Sequence, residues 1–128
     1  MALPHASLLD VVNVAPLGEK LIDTFSTSLI KTDQLQLLHL VLPARQDLPE
    51  HHVDQQCVIH CLEGDVEVVT AGGSRRLGAS ELVVLPGKQK HSVRARADSA
   101  LLVTLLLDKG DAAHGGGAGN TRADTGAQ

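Results

Sequence analysis

Short apolar stretches separated by turn residues dominate the chain from residue 26 onward. Residues 27–32 (TSLIKT) and 34–42 (QLQLLHLVL) read as two strands parted at Asp33. Residues 43–47 (PARQD) read as a turn, with Pro43 presetting φ. Residues 55–62 (QQCVIHCL) and 65–70 (DVEVVT) flank Glu63-Gly64 and predict two strands around a tight turn. A second hairpin turn lies at Ala71-Gly72-Gly73-Ser74. Residues 81–85 (ELVVL) form a strand stopped by Pro86-Gly87, and residues 91–96 alternate polar and apolar. The run at 99–107 (SALLVTLLL) is long enough for a buried strand. Its Ala and Leu content also permits a helix, and its position after several hairpins favours the strand. Many short strands with turn signals every 8–12 residues or so describe a β-sandwich or barrel.

The two ends read differently. Residues 8–14 (LLDVVNV) are apolar and β-branched enough for a short strand ending at Pro16, and residues 18–23 suit one helical turn or a loop. Six of the 12 glycines fall between Gly110 and Gly126, where no strand or helix period appears, so residues 108–128 predict a flexible Gly-rich tail. His114 within it reads as a solvated residue, since one His does not make a metal-binding tract.

Composition narrows the function. Leu and Val supply 21 and 13 of the 128 residues, enough for one core and one domain. Phe25 is the only aromatic residue apart from His, and the formal charge is −4. A nucleic-acid binder would carry a basic surface or stacking platforms, so none is expected. No apolar run approaches the ~18 residues of a membrane helix, and residues 1–10 lack the pattern of a signal peptide. A cytoplasmic location is expected, and two free thiols suit its reducing conditions. Cys57 and Cys61 lie on one predicted strand, about 13 Å apart, too far for a disulfide or for two thiols on one metal.

From Leu42 to Leu107 the chain resembles the small single-domain cupins. Leu62-Glu63-Gly64 looks like the closing turn of their first motif. Counting back from Gly64, His51 falls at the motif's first His, Val53 at its second His and Cys57 at its Glu. Gly78, Pro86 and His91 match the Gly, Pro and His of the second motif. Arg45 and Lys88 stand where the resembled turns carry Gly. Those two turns therefore either take a positive φ with a side chain present or change shape.

The resemblance implies an all-β, cupin-like double-stranded β-helix (a jelly-roll barrel) over residues 26–107, preceded by an arm at 1–25. It also implies a homodimer in which residues 8–32 pair across the interface, which would cover the open edge of the barrel. A cupin metal site is three His and one Glu inside the barrel, and here His51 and His91 survive. With Cys57 beside them, the implied cofactor is a divalent transition metal (Zn, Fe, Cu or Ni) or none at all. The alternative for the His pair is hydrogen bonding to each other, to backbone or to water.

Parity assigns the neighbours. His51 and His52 point to opposite faces, and the motif register sends His51 inward. His60 faces away from Cys57 and Cys61, while the face of His39 stays open. Glu50 reads as a solvated turn residue or an orienting partner of His51. Glu63 and Asp65 read as exposed, as do Arg75, Arg76, Arg94 and Arg96. Val53, Ile59 and Cys61 are candidate pocket residues, with Val84, Leu85 and Leu102 as further lining. Such a pocket suits a small, partly apolar ligand. Three readings follow: a small-molecule module that binds metal weakly or not at all, a metal-dependent oxygenase or isomerase, and a regulatory domain acting through a partner chain.

Overall fold

The alternation in the sequence becomes two antiparallel sheets packed face to face. The computed structural model describes residues 5–107. Nine strands follow a short 3-10 helix at Gly18–Asp23. They are β1 (Thr27–Lys31), β2 (Leu35–Leu42), β3 (Asp47–His51), β4 (Cys57–Glu63), β5 (Asp65–Thr70), β6 (Gly73–Gly78), β7 (Glu81–Leu85), β8 (His91–Ala95) and β9 (Ser99–Leu106). One sheet runs β1-β2-β9-β4-β7 and the other β3-β8-β5-β6. β9 pairs with both β2 and β4, so the run at 99–107 is a strand and not a helix. The predicted tail at 108–128, with His114, lies outside the described residues.

Period-2 alternation builds the core. Cys57, Ile59 and Cys61 of β4 are buried, and Val58, His60 and Leu62 between them are only partly so. Leu101 and Val103 of β9 meet Val66 and Val68 of β5 and Val93 and Ala95 of β8 across the sandwich. Burying a side chain of this size contributes about 1.5–3 kcal/mol.

Three sequence expectations are corrected. Residues 8–14 form no strand: Leu8, Leu9 and Val11 are exposed, and Leu9 has φ 77°. Local bonds capture that backbone instead, with Ser7 N–H donating to Asp10 Oδ2 and Ala15 N–H to Asn13 Oδ1. The turn at 43–47 ends one residue early, closed by Gln46 N–H donating to the Pro43 carbonyl, and Asp47 opens β3. β6 also escaped the sequence reading, since Leu77 is its only buried residue. Both missed strands are sheet edges. An edge tolerates Pro49 and polar side chains that a central strand would not.

The two turns that depart from the cupin pattern keep its geometry. Arg45 has φ 72° and Lys88 has φ 64°. Each is pinned by a backbone bond, Arg45 N–H to the Ala95 carbonyl and Lys88 N–H to the Val53 carbonyl. The hydrogen bonds offset the cost of a left-handed side chain, about 1–2 kcal/mol per residue.

Candidate functional site

β3 and β8 bring the two motif histidines together. His51 pairs with His91 in the strand register, and their ring centroids lie 4.4 Å apart. Each ring is held by its own chain: Nδ1 of His51 lies 2.9 Å from the Pro49 carbonyl, and Nδ1 of His91 lies 2.9 Å from the Gln89 carbonyl. A carbonyl oxygen only accepts, so both Nδ1 atoms carry the proton in the neutral ring. That tautomer leaves Nε2 of each ring with a free lone pair. Burial lowers the pKa of His91, with the nearby His51 and His52 adding to the effect against the Gln89 bond. His91 is therefore neutral, and its lone pair available, over more of the acid range than an exposed imidazole.

The pair lines one end of a cavity of about 170 Å³ between the sheets. Its walls are aliphatic, with Leu38, Leu40, Val53, Ile59 and Val93 among them, and Cys57 also reaches it. Five of the six predicted site residues thus meet here: His51, His91, Cys57, Val53 and Ile59. Cys61 does not. Four residues along β4 carry it about 13 Å from Cys57, into the sealed core, where its Sγ donates to the Glu63 carbonyl. Leu85 is buried outside the cavity, Val84 is exposed and Leu102 faces away from it. His52 lines a separate surface depression, as the opposite parity of His51 and His52 requires.

The donor set does not make a three-ligand metal site. Among the described residues no group of three His, Cys, Asp or Glu side chains could hold an ion. Burial raises the pKa of Cys57, so without a cation beside it the side chain is a thiol. Glu50 is exposed, and His51 takes its orienting bond from Pro49 rather than from Glu50. Cys57 and Cys61 are both free.

Two residues matter more than their sequence context suggested. Glu63, expected to be solvated, accepts the backbone N–H groups of Leu17 (2.6 Å) and Gly18 (3.0 Å), fastening the N-terminal arm to the β4–β5 turn. His39 is buried on the outer side of β2, and its ring makes no hydrogen bond among the described residues. The face the sequence leaves open is thus the outer one, since Leu38 and Leu40 on either side line the inner cavity. What sequence could not show is the arm that covers it. Asp65 pairs with Arg76 at 2.5 Å on the exposed side of the second sheet.

Solved structures give the architecture its context. No protein-family model matches the chain, and no curated protein sequence matches it. A cupin superfamily protein from Desulfitobacterium hafniense DCB-2 superposes with TM-score 0.67 at 16% identity, over 80% of this chain and 100% of that one. An RmlC-like cupin from Desulfovibrio desulfuricans gives 0.59 at 24% identity, over 81% and 96%. A conserved protein of unknown function from Streptococcus pyogenes gives 0.66 at 17% identity, over 84% and 97%. Two antiparallel sheets, a His pair on adjacent strands of one sheet and likeness at this level lead to one conclusion: the chain has the cupin fold.

Proposed function

We propose that the chain binds a small, compact, mainly apolar molecule between its sheets, anchored by a hydroxyl or N–H that donates to Nε2 of His51 or His91. The observation that carries this reading is the pair of Nδ1 bonds to backbone carbonyls, which fixes two acceptors at one end of an aliphatic cavity. A dry apolar cavity of about 150 Å³ holds a molecule the size of benzene, which sets the scale of the ligand. A metal is not required. An ion at this pair would need solvent or the ligand itself to complete its shell. Titration with phenol and with benzene, read at the His51 and His91 imidazole nitrogens by NMR, tests the reading. Phenol should shift both rings saturably, and benzene should bind more weakly. Equal binding of the two, or no shift with either, would refute it.

We infer a homodimer from a second observation. The strand register lines Leu37, Thr104, Val58 and Val84 in one row on the outer face of the five-stranded sheet, and Leu102, His60 and Leu82 in the next. Leu82 is 53% exposed, Val84 52% and Leu106 43%. The rows carry no Lys, Arg, Asp or Glu, so a two-fold contact would bring the patch against itself without repulsion. Contiguous apolar faces of this kind mark interfaces more often than bare surface. Exposed Leu8, Leu9 and Val11 give the arm further apolar surface to contribute. Sedimentation should give a dimer that Val84→Glu converts to monomer. A monomeric unsubstituted protein would refute the inference.

A further inference from the structure

Residues 5–29 leave β1, cross the outer face of the sheet and return, enclosing a cleft of about 800 Å³. This lies within the ~300–1,000 Å³ range of small-molecule sites. It is separate from the cavity between the sheets and shares no lining residue with it. His39 lines it, is only 8% exposed, and leaves both ring nitrogens without a hydrogen-bond partner among the described residues. An unpaired buried polar group of this kind costs about 1–3 kcal/mol, so it calls for a ligand able to answer it. Val14, Leu17, Phe25 and Leu29 supply apolar wall, and Phe25 is 83% exposed to whatever enters.

The charges are one-sided. Asp23 lines the cleft, and the Glu63 carboxylate acts on His39 from close by. No Lys or Arg lines it among the described residues. His5 also lines it, with Nε2 2.7 Å from Ser28 Oγ, so an anion would find no Lys or Arg there, whereas a cation would find a carboxylate, an aromatic face and an imidazole acceptor. We propose that this cleft is a second binding site, taking a small amphipathic amine. Its apolar body lies against Val14, Leu17, Phe25 and Leu29, and its ammonium N–H groups meet Asp23 and His39.

The test uses the full chain and three probes of equal length: hexylamine, hexanol and hexanoate. Binding is read at the His39 imidazole nitrogens, with His91 as the reporter of the other cavity. Hexylamine should shift His39 saturably, about tenfold more tightly than hexanol, because a charge-assisted hydrogen bond is roughly twice as strong as a neutral one. Hexanoate should bind more weakly still. Asp23→Asn, at an exposed position, should remove the preference for the amine over the alcohol. Phe25→Ala, also exposed, should weaken both. Hexanoate binding as tightly as hexylamine, no saturable shift at His39, or a shift at His91 alone would overturn the proposal. The last outcome would leave the inner cavity's reading standing.

Discussion

Gly64 offers the sharpest test of how the fold is held. It sits in the β4–β5 turn with φ 97°, where an L side chain is strained by about 1–2 kcal/mol. An added Cβ would overlap Ser99 Oγ, and would lie 2.5 Å from the Asp98 carbonyl oxygen and 2.6 Å from Ser99 Cα. Ser99 Oγ can move only by giving up the Asp65 N–H it accepts at 3.0 Å, a loss of about 1 kcal/mol. The Asp98 and Ser99 backbone cannot rotate away, and overpacking of this kind costs about 1–3 kcal/mol more. Gly64→Ala should therefore lose about 3–6 kcal/mol, a large share of the ~5–15 kcal/mol of a typical domain. With no Trp or Tyr in the chain, urea unfolding is best followed by far-UV circular dichroism. Gly72→Ala, whose nearest neighbour would be Thr70 Oγ1 at 3.9 Å, is the control and should cost under about 1 kcal/mol. Adding Ser99→Gly to Gly64→Ala should recover only a minor part, because the backbone contacts remain. A loss below about 1 kcal/mol, or full rescue by Ser99→Gly, would refute the argument.

The remaining predictions are more compact. Burial lowers the pKa of both His39 and His91, so the unfolded chain binds more protons than the native one below the ordinary imidazole value of about 6.5. Their contribution to stability should be complete above that pH and lost as pH falls through the native values. Urea midpoints from pH 8 to pH 5 check this, with His39→Gln and His91→Gln each expected to flatten the decline. Lys88→Gly should stabilise by up to about 1 kcal/mol, since relief of the φ of 64° exceeds the added chain entropy, and thermal melting reads it. Cys57 and Cys61, buried and with raised pKa values, should react with a thiol reagent far more slowly in the native protein than in urea. Equal rates would contradict their placement.

Legibility in the sequence followed burial. β5 and β7 were bounded correctly, and β4 and β9 to within two residues, because those strands lie centrally or carry a clear apolar alternation. β3 and β6 carry almost no buried side chain, so no apolar pattern announces them. Motif spacing placed His51 and His91 on one cavity, since a two-strand register preserves the relation between positions far apart in the chain. It could not place Cys61, whose parity matches Cys57 but whose distance along β4 removes it from the cavity. Glu63 was misread because its partners, Leu17 and Gly18, lie 46 and 45 residues away and are backbone groups without a side-chain signature. Residues 8–14 were misread because β-branched content predicts a strand only where a neighbour is free to pair.

The bond between Glu63 and the arm also bears on how the molecule opens. Among the described residues before β1, Leu21 is the only fully buried one, and the arm's other fastenings are few: Ala6 N–H to the Leu29 carbonyl, His5 Nε2 with Ser28 Oγ, Val41 N–H to Ser26 Oγ, and two amides on one carboxylate. The sandwich behind it holds a continuous apolar core. Two such regions have different opening free energies and form separate cooperative units. Under native conditions the amides of Leu17 and Gly18 should exchange with solvent through a local detachment of the arm, while those of β4 and β9 wait for global unfolding. A protease should nick the arm and leave the sandwich whole, and Glu63→Gln should hasten both events without moving the core amides.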